Sequence, residues 1–539
     1  MLALALLTGC SGISMEKIGS FLTGRDVEAE VAESEPEEPA DSQPTMAAEA
    51  VMNQAEAPEV LRLAYQEASG LDPFSTVSLN NRTILSLIYE PLFVVNDEFQ
   101  AEPVLASGVE VSEDGRTTTV TLRSGVRFHS GQTLTARDVL YSYEKAKASS
   151  YYGNRFYHVS EVAAEGSAVV FTTDTSYESL ALLLDFPIVR AGTCGALAQE
   201  ETEEDAPEEQ EAQQPAETIP DGTGPFVYDG SYDLPRFEGW WQDSFFLGYE
   251  SVSLTPCTTA ADIRDRYEYG QVNLVCTDPS SAAYAAFHND FELWSAPTTV
   301  MQYIGFNHNH KVFGKSSVRA LITYVVDRET IVAEDLGGFG LPATLPASPL
   351  SPVYNAGLAA DYAYDLDAFQ ALREAGEIDD FTGDGILDVY TKDFSRSLEG
   401  TMIVNAASNQ RVATANRIAE ALNALGFHIT VKTLEEQEFR QALEYQNFEL
   451  YYGEVRMSNT FDMGSFFRDY GSACFAGSAS ANGVELCSAM LENSGNAYDL
   501  HKWVMDTGVL CPVLFKSYAV YTTRGAAQGL NPAVDWVIH

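Results

Sequence analysis

The chain has 539 residues, 45% hydrophobic and 11% aromatic, which is long and apolar enough for two or three domains with cores of their own. Only 31 basic residues stand against 78 acidic ones, and a formal charge of −47 repels phosphate backbones and anionic headgroups, which excludes nucleic acid as a partner. Part of the charge is local: residues 26–61 hold eleven acids and residues 195–220 hold nine, with no Lys or Arg in either stretch.

The N-terminus, MLALALLTGCSG, sets an apolar run from Met1 directly before Leu7-Thr8-Gly9-Cys10. That run is far short of the about 20 residues that span a bilayer, so it reads as the end of a secretory signal, and the small residues before the cysteine read as a lipoprotein cleavage site. Residues 1–10 are then a signal ending at a lipidated Cys10, although no Lys or Arg precedes the run. The two acyl chains of a diacylglyceryl group suffice for stable anchoring. Residues 11–58, rich in Glu, Ala, Pro and Ser, bury too little to offset ordering entropy and form a disordered acidic tether. Residues 195–220 have the same character within the body and read as a disordered loop.

Structure begins at Val60 to Tyr65, an alternating run suited to a strand, followed by a turn at Leu71-Asp72-Pro73. Residues 81–95 space their apolar side chains as a helix until Pro91 ends it, and Thr117 to His129 alternates as hairpin strands broken at Ser124-Gly125. Thr135 stands three residues before Asp138, a capping-box arrangement that opens the amphipathic helix after it. Val318 to Val332 is helical by period. Met402 to Asn405, Arg411 to Gly426 and His428 to Leu434 read as strand, helix and strand, a βαβ unit whose right-handed crossover implies a parallel sheet. The fold class is α/β.

Beyond Cys10 there are six cysteines: Cys194, Cys257, Cys276, Cys474, Cys487 and Cys511. Up to three disulfides are open to them; Cys474 with Cys487 is the pair that spacing favours, and reduced thiols are the alternative. No GxSxG elbow, HExxH, P-loop or GxGxxG occurs, so the residues point away from an enzyme.

Several stretches, taken in order, resemble the extracellular solute-binding proteins of family 5, the peptide/nickel-binding cluster C of bacterial ABC transporters. They are Ile88–Ala146 (with GVRFH and a helix-capping Thr before DVLYS), Gly222–Tyr228, Ile304–Val332, Tyr364–Asp388 and Met402–Leu434. The resemblance implies a two-lobed, periplasmic-binding-protein-like fold of type II with an extra subdomain. Lobe I would span 59–296 with the subdomain at about 75–190, lobe II 297–511, and 512–539 would return to lobe I, the crossings falling close to residues 297 and 512. It further implies a monomer that captures a small solute, most readily a short peptide, and delivers it to ABC permease subunits outside the cytoplasmic membrane, with no cofactor and no catalysis. A surface receptor or sensor, and a binder of nickel chelates or other non-peptide solutes, are the alternatives.

Peptide-binding members carry an aspartate that pairs with the ligand's α-ammonium. Matching the end of YYGEVRMSNTFDMGSFF on Ser465-Phe466-Phe467 puts Asn459 at that place, and a neutral amide adds no Coulomb attraction; Asp462 or another register would restore the charge. Arg456, three residues earlier, suits a ligand carboxylate or a surface ion pair. The resemblance also implies ligand contact at Tyr151 and Tyr152, with Tyr157 in the same cluster, at the backbone of Val77, Ser78 and Leu79, and at Phe515 and Lys516 on the returning strand. His308 and His310 alternate as on one strand face, but no third metal ligand accompanies them. Asp380, Thr382, Asp384, Gly385 and Asp388 partly match a calcium loop, yet Thr391 stands where the bidentate Glu belongs, so a plain turn is expected and no metal site.

Overall fold

The computed structural model describes residues 59–194, 219–242, 249–280, 287, 291–392 and 394–526. Cys10, the tether 11–58, residues 195–218 of the acidic loop and the end of the returning segment, 527–539, lie outside the described residues.

Strand β1 (Val60–Tyr65) leads to helix α1 (Leu79–Ile88). The helix starts two residues before the expected stretch because Ser78 caps it, its Oγ accepting from Asn81 N at 3.2 Å. It also stops earlier than expected, at Ile88. Pro91 has no N–H and holds the residue before it extended, and Phe93–Val95 (β2) instead pairs antiparallel with Ala101–Pro103 (β3). A four-stranded antiparallel sheet comes next, in the order β4 (Ala106–Val111), β5 (Thr117–Leu122), β7 (Ala168–Thr173), β6 (Val159–Glu165). The hairpin expected from 117 to 129 does not form. Both edges of β5 are taken by β4 and β7, so the residues beyond Gly125, at φ 84°, turn away and make only an isolated bridge, Arg127 to Thr133. Helix α2 (Ala136–Ala148) opens as expected, with the Asp138 carboxylate accepting from Thr135 N at 2.9 Å and from its Oγ1 at 2.7 Å.

After β8 (Asp233–Pro235), β9 (Ser251–Pro256), α3 (Ala260–Glu268) and β10 (Leu274–Thr277) the chain enters a long strand, β11 (Glu292–Phe306). Two helices, α4 (Ser316–Thr323) and α5 (Arg328–Asp335), replace the single one expected over 318–332. Asp327 caps α5 by accepting from Thr330 N, and the buried Arg328 guanidinium donates to the carbonyls of Thr323 and Val326, which the break in the helix sets free. Strand β12 (Gly340–Pro342), two short helices, α6 (Ala356–Asp361) and α7 (Leu366–Ala375), and a small sheet of β13 (Ile378–Asp379), β14 (Asp388–Tyr390) and β15 (Ser395–Ser397) precede the βαβ unit: β16 (Glu399–Asn405), α8 (Asn409–Asn423), β17 (His428–Leu434). Its strands are parallel, Glu399 opposite His428 through Asn405 opposite Leu434, as the sequence implies. Helix α9 (Glu436–Glu444), β18 (Leu450–Arg456), α10 (Gly464–Phe467), α11 (Ala481–Glu492) and α12 (Ala497–Thr507) lead to the last strand, β19 (Leu510–Thr522).

One sheet runs through the molecule in the order β17-β16-β18-β11-β19-β10-β1-β9-β8. Among the described residues its two halves share only β11 and β19. The first part of β11, up to Pro297, pairs with Ser517–Thr522, and the part from Met301 pairs with Leu510–Phe515; the register shifts between Pro297 and Met301. One apolar core gathers Ile304, Phe306, Leu321, Ile418 and Leu450 around the βαβ unit, while the larger holds Leu61, Ile84, Phe128, Val139 and Phe186 around β1, α1 and the four-stranded sheet and continues across to Tyr303, Tyr451, Phe466 and Leu500. All six described cysteines are free, so the Cys474–Cys487 bridge is not made. Cys474, in the loop after α10, accepts from Ser478 Oγ, whereas Cys487 is buried in α11 with Asp462 beside it.

Candidate functional site between the lobes

In sheets with parallel strands, side chains that meet a ligand collect where the strands end at their carboxyl termini. Here β1 ends at the loop 66–78 and β18 ends at Arg456, and the segments that continue from these two strand ends meet across the seam.

Arg82 lies in the first turns of α1, Tyr151 in the turn after α2, and Arg456 at the tip of β18. The Arg82 guanidinium carbon stands 3.5 Å from the centre of the Tyr151 ring and the Arg456 guanidinium 4.6 Å from it, so one aromatic ring receives two cations. Arg456 Nη2 also donates to the hydroxyl of Tyr518, on β19, at 3.0 Å. Arg82 Nη2 donates to the Thr76 carbonyl at 3.2 Å and meets no carboxylate among the described residues. Tyr152 packs edge-on to Tyr151 and to Phe74 and is buried; burial pushes its phenol up to about 12, so it stays neutral at any physiological pH.

A second set of contacts crosses the seam beside this cluster. Asn459, in the loop after β18, is buried, and its Nδ2 donates to the Leu182 carbonyl at 3.0 Å and to Asp185 Oδ2 at 2.9 Å. Leu182 and Asp185 belong to the turn that comes after the four-stranded sheet. Asp185 is also paired with Arg155, whose side chain is 4% exposed. Tyr177 meets Thr460 oxygen to oxygen at 3.0 Å, and Glu178 N donates to the Leu491 carbonyl at 2.9 Å. Arg468 lies 3.6 Å over the Tyr157 ring, 3.8 Å from Asp462 Oδ2, and donates to His158 Nε2 at 3.1 Å; His158 in turn bonds Asp174.

Of the residues the sequence singled out, the structure therefore brings Tyr151, Tyr152, Arg456 and Asn459 together. Val77 is 84% exposed on the loop before α1, while Ser78 is occupied in capping and donates to Gln66 Oε1, and Leu79 is half-buried in the first turn. Asp462 accepts from Gly464 N and lies by Arg468, so its carboxylate is engaged within the protein. Phe515 is buried edge-on to Phe461. Lys516, 3% exposed, bridges Asp278 at 2.6 Å and Glu454 at 3.2 Å, one carboxylate from each side of the seam. Burial alone would raise the Asp278 carboxyl, but Lys516 and the Ser280 hydroxyl and N–H outweigh it and hold the group below its usual range. Sequence reasoning missed Arg82, Asp185 and Tyr518. Arg82 carried a faint signal, a lone cation one turn beyond the Ser78 cap; the others are brought in only by folding.

The metal-like patterns resolve into local structure. His308 and His310 lie past the end of β11, not on a strand: His308 Nε2 bonds the Val509 carbonyl, and His310 stacks on Phe313 with Nδ1 accepting from Val312 N and Phe313 N. Desolvation and then the nearby Arg319 charge lower the His308 pKa to about 4. Asp380 accepts from the backbone of Gly383, Asp384 and Gly385, and Asp388 from Phe381 N and Ser397 Oγ, which closes the turn between β13 and β14.

Two lobes joined by two long strands, with charged and aromatic side chains meeting at the seam, make up the architecture. Residues 100–476 match the model of the bacterial extracellular solute-binding proteins, family 5 (middle region), and the chain belongs to that family. It is similar to the glutathione-binding protein GsiB of Salmonella typhi, 25% identical over 323 residues that make up 58% of this chain and 60% of that one. To the oligopeptide-binding protein AppA of Bacillus subtilis it is 26% identical over 371 residues, 65% of this chain and 64% of the relative. The matches thus span less than two thirds of the length of these curated relatives. Among solved structures, the ABC transporter substrate-binding protein CtaP of Listeria monocytogenes superposes with a TM-score of 0.68 at 16% identity, covering 90% of this chain and 98% of that one, and it shares the two-lobed fold.

Proposed function

We propose that the protein is the substrate-binding receptor of an ABC importer, working outside the cytoplasmic membrane on a lipid anchor at Cys10. It takes up a short peptide or similar solute between its lobes and presents the closed form to a permease; it catalyses nothing and acts as a monomer. The observation that carries this reading is the seam. Among the described residues only β11 and β19 join the two halves of the sheet, their pairing is interrupted between Pro297 and Met301, and Asn459, Tyr177 and Arg468 bond across it. We take the interruption as the hinge and the bonds as contacts of a closed state, which a ligand gripped by both lobes favours by its differential affinity. The reading also draws on the relatives, named for glutathione and oligopeptide binding. Its test is a thermal-shift screen with defined pools of di- to nonapeptides and glutathione, followed by small-angle scattering on any hit. A binder raises Tm and shrinks the radius of gyration; a chain that neither gains Tm with any pool nor changes shape is not such a receptor.

A further inference from the structure

Resting on that reading, we propose that His158 and Arg468 form a proton-sensitive latch on closure: the shut form needs a neutral His158, so the receptor grips its solute at neutral pH and loosens as the medium turns acid. The two residues face each other across the seam, His158 just before β6 of the four-stranded sheet and Arg468 just after α10. Their partners fix where the proton of the ring sits. A guanidinium has donors only, so Nε2, 3.1 Å from Arg468 Nη1, has to accept and carries no proton. Nδ1, 2.8 Å from Asp174 Oδ1, then carries the single proton and donates it. A second proton would sit on Nε2 and point at the Arg468 fork. The bond across the seam is then lost and two cations meet at hydrogen-bond distance, which opening relieves. A ring that takes a second proton in the open form and not in the shut one couples closure to pH, by about tenfold in affinity at most for each pH unit on the acid side of the histidine range.

The groups around the pair leave the imidazole as the one that switches. Asp174, just after β7, faces Nδ1, and its side chain is 55% exposed, which gives a proton a way in from solvent although the ring itself is buried. Asp462, from the loop after β18, lies 3.8 Å from the same Arg468 nitrogen and holds the fork from its own side of the seam. Tyr157 lies beneath the guanidinium, its ring centre 3.6 Å away. Tyr177 packs edge-on to the His158 ring; burial pushes its phenol above the ordinary range, so it stays neutral. Arg155, the other cation near Tyr177, is paired with Asp185. Among carboxylates, guanidiniums, phenols and imidazoles, the imidazole is the type whose charge ordinarily changes between roughly pH 5 and 8.

The test uses the full chain, with glutathione and the pools of di- to nonapeptides as probes, and reads binding by calorimetry at pH 7.5, 6.5 and 5.5. The wild type is expected to bind whichever probe it takes about fivefold or more weakly at pH 5.5 than at pH 7.5. In His158→Gln the side-chain oxygen can accept from Arg468 at every pH, and the step should shrink to less than about twofold. The probe's own groups titrate alike with both proteins, so the comparison isolates the ring. Arg468→Met serves as a second variant: it should bind more weakly at pH 7.5 and lose the acid step as well. An affinity for the wild type that is equal at pH 7.5 and 5.5, or a step that persists undiminished in either variant, overturns the latch and leaves the receptor reading standing. If neither glutathione nor any pool binds at any of the three pH values, the receptor reading fails and the latch with it.

Discussion

Asn459→Asp separates two accounts of the loop after β18. If this position serves a ligand ammonium, a carboxylate there strengthens binding. The structure argues the reverse. The Asn459 amide donates to Asp185 Oδ2 at 2.9 Å, so the substitution sets a second carboxylate against an existing one in a place that is 2% exposed. Two hydrogen bonds are lost, one of them to a charged acceptor, which together contribute on the order of 2–4 kcal/mol to the shut form. The facing charges add repulsion that Arg155 only partly offsets. On the proposed closing motion these bonds form when the lobes meet, so the cost falls on closure, and 2 kcal/mol alone weakens ligand binding roughly 30-fold. Calorimetry with a free-acid pentapeptide at pH 8, 7, 6 and 5 checks this. The variant is expected to bind at least 30-fold more weakly than wild type at pH 7 and to recover as the pH falls. At low pH the two carboxylates share a proton, and the protonated member can donate to the other. Tighter binding than wild type at pH 7, or a deficit that does not shrink toward pH 5, would refute the closing role of Asn459.

Two further outcomes concern buried charge. Lys516→Met leaves Asp278 and Glu454 facing each other without their cation, and should lower unfolding stability in urea by about 3–5 kcal/mol at pH 7. In the wild type the depressed Asp278 pKa contributes stability that is present above about pH 3.9 and lost as the pH drops through the lower folded value; in the variant the trend inverts, since protonation relieves the repulsion. His501 on α12 is fully buried, neither ring nitrogen is bonded among the described residues, and desolvation lowers its pKa to about 4. The unfolded chain therefore binds the extra proton between pH 6.5 and 4, and stability falls on acidification through that window, by about 3 kcal/mol from this group. His501→Leu should flatten that part of the stability profile measured by urea titration at each pH; an unchanged slope would show the acid sensitivity to lie elsewhere, for example at His308.

How much was legible in the sequence divides along the range of the interactions. The strand His428–Leu434, the cap at Thr135 and the parallel βαβ unit are set by period, capping chemistry and crossover handedness, all properties of contiguous residues, and each stands where those properties put it. The errors arise where a distant partner decides. Thr117–His129 alternates throughout as a strand should, but β5 has neighbours on both edges from residues 106–111 and 168–173, so its second half turns away and bridges Thr133 instead of folding back on β5. Val318–Val332 keeps a helical period, yet the buried Arg328 guanidinium also donates to the distant Pro512 carbonyl at 2.9 Å and to Ala343, and the helix breaks beside it.

The site obeys the same division. Arg456 and Asn459 stood out in the sequence because of their residue type, but their roles are set by Arg82, Asp185 and Tyr151, which come from other elements up to several hundred positions away. An amide at 459 looks like a lost charge when its loop is read alone. Beside Asp185 it is the residue that lets a carboxylate of the protein remain at the seam without repelling its neighbour. The seam thus keeps this acid paired from both lobes, by Asn459 from the loop after β18 and by Arg155 from the turn after α2.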